Sequence, residues 1–163
     1  MQMELDESHR VAPLVQSPAI ERNGVVSPDG RCLAYESNES GRFEISVRPF
    51  PDVNRGHWQV STGGGTRPLW APSGQELFYI APDGVLMGVR ADPRGGSWSA
   101  GNPVKVLEGP YLTRGLRDKR TYDVSTDGNK FLMVKQLANQ AAAPQIVVVQ
   151  NWVEELKRLV PTR

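Results

Sequence analysis

Three arginines recur seven or eight positions before three glycines. Arg22 and Asn23 stand eight and seven positions before Gly30, Thr66 and Arg67 before Gly74, and Arg120 and Thr121 before Gly128. A guanidinium beside a hydroxyl or an amide is a donor set suited to oxyanions, because its planar fork matches a carboxylate or a phosphate. If the three positions face one opening, they could hold a small anionic ligand or an acidic peptide tail. The commoner fate of such arginines is to pair with a nearby carboxylate or to solvate a loop. The elements that position them decide between these.

Other chemistry has little to build on. The two histidines, His9 and His57, lack partners at metal-ligand spacing, so no zinc site is expected. No Gly-x-Ser-x-Gly elbow occurs, which removes the hydrolase signature. Gly63-Gly64-Gly65 lacks the Lys-Ser/Thr that would follow in a phosphate loop and reads as a connector. Asp29 and Asp127 sit in Pro-Asp-Gly and Thr-Asp-Gly turns and read as turn formers rather than calcium ligands. Cys32 is the one cysteine; it opens a strand-like run and reads as a small buried hydrophobe. Of the tryptophans, Trp70 reads as core, and Trp98, in a Gly/Ser loop, as the exposed platform on which a sugar could stack. No metal, cofactor or catalytic residue is expected, and the chain reads as a non-enzyme.

The bulk properties agree. A net charge of +1 gives no global field for nucleic acid or an anionic membrane. Apolar residues at 39 % and charged residues at 23 % describe a folded domain, and 163 residues suffice for one core. No apolar run approaches the roughly 20 residues of a membrane helix. The polar, acidic start MQMELDESHR has no apolar signal core, so the sequence as written is expected in the cytoplasm unless something upstream has been cut away.

The glycines mark a repeat. Val26-Ser-Pro-Asp-Gly30-Arg-Cys-Leu-Ala-Tyr35 is matched by Trp70-Ala-Pro-Ser-Gly74-Gln-Glu-Leu-Phe-Tyr79 and by Val124-Ser-Thr-Asp-Gly128-Asn-Lys-Phe-Leu-Met133. Each is a hairpin whose glycine accepts φ > 0. The glycines lie 44 and then 54 positions apart, the length of a four-stranded propeller blade and of one with a longer loop. The expected fold is all-β: three four-stranded β-propeller blades over about 18–61, 62–108 and 119–150. The first runs through strands 24–27, 31–37, 43–49 and 57–61, the second through 68–71, 76–80, 85–91 and 104–107. The third has 121–125, 130–136 and 145–149. An ordinary β-sandwich with chance similarity of turns is the alternative. After Val149 the period becomes helical, with Asn151 as cap, Glu154 three positions on, and Val153, Leu156 and Val160 on one face, so a short helix is expected over 151–160.

The segments SPDGRCLAYESNESGRFEISVRPFP, STGGGTRPLWAPSGQELFYIAPDG and YDVSTDGNKFLMVKQ resemble TolB-type, WD-repeat-like β-propeller repeats of bacteria. They are similar in particular to the propeller segments C-terminal to receptor-like serine/threonine kinases, many of which end in a tail like QNWVEELKRLVPT. The resemblance spans roughly Val11 to Arg163. It implies an interaction or sensing platform, and no kinase motif accompanies it here.

Three blades do not close a ring, which takes about four or more. Val11-Ala-Pro-Leu-Val-Gln16 looks like an outer strand without a blade, while the third unit lacks an outer strand. Two chains could each donate Val11–Gln16 to the other's third blade, giving a homodimer with six blades and six arginines around one channel mouth. The other reading is a fragment of a longer propeller. The expected function is a non-catalytic binding or scaffold module, possible ligands being a protein, a peptide or a small anion at the channel mouth, and not nucleic acid or membrane. The alternative is an accessory propeller that gates or recruits substrate for a catalytic domain on another chain.

Overall fold

The computed structural model describes residues 1–3, 9–92, 98–113 and 119–135, and these form an all-β array of antiparallel sheets, none of them closed. A short hairpin pairs β1 (Gln2–Met3) with β2 (Val11–Ala12). The first sheet is a meander of β3 (Glu21–Val26), β4 (Cys32–Ser37), β5 (Glu44–Pro49) and β6 (Trp58–Gln59). The second runs through β7 (Thr66–Trp70), β8 (Glu76–Ile80) and β9 (Leu86–Asp92). Both β10 (Ser99–Ala100) and β11 (Val104–Leu107) pair with β9, on the edge away from β8. The third pairs β12 (Tyr122–Val124) with β13 (Phe131–Met133), and Tyr111 bridges to Lys135. The strand expected over 145–149 and the helix over 151–160 lie outside the described residues.

The repeated turns have one construction. Gly30, Gly74 and Gly128 have φ of 70°, 71° and 73°, and each donates its N–H to the carbonyl three residues earlier. In the first turn the Ser27 hydroxyl accepts from Cys32 N at 2.9 Å and donates to Asp29, which accepts from Arg31 N at 3.1 Å. Ser125 and Asp127 repeat the arrangement with Lys130 and Asn129. Both aspartates therefore serve the turns, and the serine hydroxyl bond is the main cause holding each carboxyl below its usual range.

One rule governs how the sheets meet. Cys32 and Ala34, two and four positions after the first repeat glycine, turn with Ile45 and Val47 toward the second sheet. That sheet answers with Leu77 and Tyr79, three and five positions after its own glycine, together with Trp70, Val89 and Ala91. Its opposite face presents Phe78 and Ile80, at four and six, to Phe131 and Met133 of the third sheet, at three and five. The even face of one unit meets the odd face of the next. Strand alternation fixes this, since a slip by one residue would turn every apolar side chain outward. The middle sheet is consequently apolar on both faces, as the run Leu77-Phe-Tyr-Ile80 already indicates.

Three expectations need correction. Val11–Gln16 is not one strand: pairing stops at Ala12, where Pro13 removes the next backbone donor, and Leu14 and Val15 instead pack against Leu33 and Tyr35 of the first sheet and Val53 of the turn between β5 and β6. Trp98 is no exposed platform, because it is buried against Trp58, with ring centres 5.9 Å apart. Cys32 is half-buried rather than fully so, and burial raises its thiol, with Asp29 adding to the effect.

The glycine triplet connects the first two sheets, and two of its members are sterically required. Gly64 has φ of 99°, donates its N–H to the Glu44 carboxylate at 2.9 Å, and faces Pro82, whose Cγ would lie 2.5 Å from an added Cβ. Gly65 is wedged among Ile45, Ser61 and Tyr79, the first two 2.8 Å from an added Cβ, whereas Gly63 meets nothing. Gly64→Ala and Gly65→Ala should each destabilise by about 2 kcal/mol, and Gly63→Ala by less than about 0.5 kcal/mol, in chemical denaturation. Equal effects at all three positions would refute this assignment.

Candidate functional site

The six positions singled out by spacing start the inner strands, and the structure draws three of them onto a carboxylate that the spacing did not flag. Glu36, at the end of β4, is fully buried. Its Oε2 accepts from Arg22 Nε at 2.7 Å, and its Oε1 accepts from Asn23 Nδ2 and from the Arg67 backbone N–H, both at 2.6 Å. Arg22 is also stacked on Phe43, its guanidinium carbon 3.7 Å from the ring centre. The carboxylate pairing left open for these arginines is thus the one Arg22 makes.

Backbone geometry explains why these residues converge. Asn23 and Arg67, seven positions before their glycines, have φ of 53° and 59°. Each lies where pairing slips, between Arg22 and Val25 in one sheet and between Thr66 and Leu69 in the other. Each is a β-bulge, and a bulge re-aims the groups around it. It frees the Arg67 N–H from the ladder and turns it toward Glu36. The third unit differs: Thr121 does not share the left-handed conformation, and β12 pairs with β13 without a slip.

Arg67 joins all three units. Buried itself, it donates from Nε to the Lys119 carbonyl at 2.8 Å and from a terminal nitrogen to the Thr113 carbonyl, while its own carbonyl accepts from the Tyr122 hydroxyl at 2.6 Å. Tyr122 sits on the third sheet, and burial raises its phenol far above the ordinary range, so it stays a donor. The remaining positions make local bonds. Thr66 Oγ1 donates to the Ile80 carbonyl at 3.4 Å, Thr121 to the Leu112 carbonyl, and Arg120 Nε to the Tyr122 carbonyl at 3.2 Å. Arg120 alone of the three arginines is exposed.

Glu36 is legible only in retrospect. It is polar at a position where the other repeats have Ile80 and Val134, directly after the apolar run Cys32–Tyr35. A second such carboxylate, Glu44, accepts from Ser61 and Gly64 and pairs with Arg42 at 3.3 Å. Beside it, Ser37, Glu39, Ser46, His57 and Gln59 line a cleft of about 290 Å³, where a His57 ring nitrogen lies 3.1 Å from the Ser46 hydroxyl. Burial and then Arg48 lower the imidazole from its usual range, leaving it neutral near pH 7. Among the described residues no group of three or more His, Cys, Asp or Glu is arranged to hold a metal, and no helix is long and apolar enough to cross a membrane.

Compared with models of known protein families the chain matches none, and no curated protein matches it.

Proposed function

We propose that the three units are blades of a TolB-type, WD-repeat-like β-propeller and that the chain is a non-catalytic binding or scaffold module. The supporting observation is that the same faces meet at both sheet contacts, the even face of one unit on the odd face of the next, as successive blades around an axis require. The buried polar groups point the same way. Arg67 spends its bonds joining units to each other, through Glu36 of the first and the Lys119 and Thr113 carbonyls and Tyr122 hydroxyl beyond the second, so its position serves the assembly of a platform. Ligand recognition then falls to what stays at the surface of the inner-strand entry, chiefly the exposed Arg120 with Thr121 beside it.

Titration calorimetry with sulfate and with an aspartate-rich peptide tests this. Weak binding is expected that declines as salt rises and disappears in Arg120→Ala, with no turnover in a panel of hydrolase, transferase and redox assays. Arg67→Ala is unsuitable for this purpose because its guanidinium is structural. Binding that survives Arg120→Ala would move the ligand elsewhere. Turnover abolished by a substitution at the inner-strand entry would overturn the non-catalytic reading.

A further inference from the structure

We infer that the two ends of the array are docking faces for a second copy of this chain, the third sheet of one copy packing on the first sheet of the other; the inference rests on the blade reading above. Each observed contact buries an even face, through positions two and four after the repeat glycine at the first contact and four and six at the second, on an odd face with the residue four positions before the glycine. The described residues leave over an even face on the third sheet and, on the first sheet, the Val26 end of an odd face whose Leu33 and Tyr35 the N-terminal segment already helps to bury. On the third sheet Leu132 and Val134, at four and six, are 74 % and 49 % exposed, whereas their equivalents Phe78 and Ile80 are buried. On the first sheet Val26, four before the glycine, is 44 % exposed, whereas its equivalents Trp70 and Val124 pack against the neighbouring unit.

The N-terminal segment adds an independent sign. Leu14 stands sixteen positions before Gly30, as Trp58 stands before Gly74. Trp58 of the first unit packs with Leu77 and Tyr79 of the second, and its counterpart Leu14, together with Val15, packs with Leu33 and Tyr35. The segment therefore sits on the first sheet where the fourth strand of a preceding unit would sit, without that unit's other strands. A second copy is the occupant whose surface fits, since the leftover even face belongs to the same repeat and follows the same rule. Two reciprocal contacts about a two-fold axis leave neither face exposed.

Sedimentation velocity at tens of micromolar reads this out. The intact protein is expected at twice the 18.0 kDa of one chain. Leu132→Glu/Val134→Glu and, from the opposite face, Val26→Asp should each sediment as one chain with unchanged circular dichroism. Because the three side chains are exposed, the substitutions do not disturb a core; should one variant fail to fold, the other decides. An intact protein at 18.0 kDa with a cooperative melt overturns the docking. A variant that stays double in mass, or species that grow with concentration, does so too. The blade reading fails separately, if Phe78→Glu at the contact between the second and third sheets leaves the melt unaltered.

Discussion

Replacing Glu36 by alanine is expected to destabilise the protein by about 3 kcal/mol, among the largest effects of any polar substitution in the chain. The carboxylate is fully buried and serves three donors at once: the Arg22 guanidinium, the Asn23 amide and the Arg67 backbone N–H. Removing one member of a buried ionic group leaves the others without partners, which typically costs about 3–5 kcal/mol. The lower end applies because the Arg22 side chain is 26 % exposed and water can reach part of it. Glu36→Gln should fall between. Its amide oxygen can still accept from Arg67 N or Asn23, but its NH2 would then face the Arg22 Nε–H. Urea unfolding followed by circular dichroism measures both variants. A loss under about 1 kcal/mol for alanine would mean that water replaces the carboxylate at little cost and that the junction is wet.

The hairpins and their order were readable because their determinants are local. A Pro-Asp-Gly turn needs only its own residues, and the positive φ of Gly30, Gly74 and Gly128 follows from the absence of a Cβ. The strand expected over 104–107 is found there, and β8 has the expected bounds. What escaped depends on distant partners. Nothing near Glu36 in sequence announces Arg67, 31 residues away. Trp98 lies in a Gly/Ser-rich stretch that reads as surface, yet Trp58 supplies the ring that buries it. For Val11–Gln16 the apolar content was legible, but Pro13 limits the pairing and the sheet contact of Leu14 and Val15 takes over. The bulges divide along the same line: Asn23-Gly24 advertises a left-handed residue, since asparagine tolerates αL, while arginine at 67 carries no such signal.

That contrast gives the second large effect. Arg67→Ala should destabilise by about 3 kcal/mol, because the Lys119 and Thr113 carbonyls lose a charged donor and the left-handed backbone strain remains. Arg67→Gly loses the same bonds, yet glycine adopts φ near 59° without a Cβ penalty. It should be more stable than the alanine variant by about 1 kcal/mol, reversing the usual order in which alanine outranks glycine in a strand. Lysine is no substitute, since one ammonium cannot reproduce a fork that reaches two carbonyls. Asn23→Gly and Asn23→Ala should show the same reversal, with smaller losses because Asn23 is exposed. Denaturant midpoints for the four variants decide the matter. If alanine proves the more stable replacement at both positions, residues 23 and 67 are not left-handed, and the bulges that turn the Asn23 and Arg67 donors toward Glu36 do not exist.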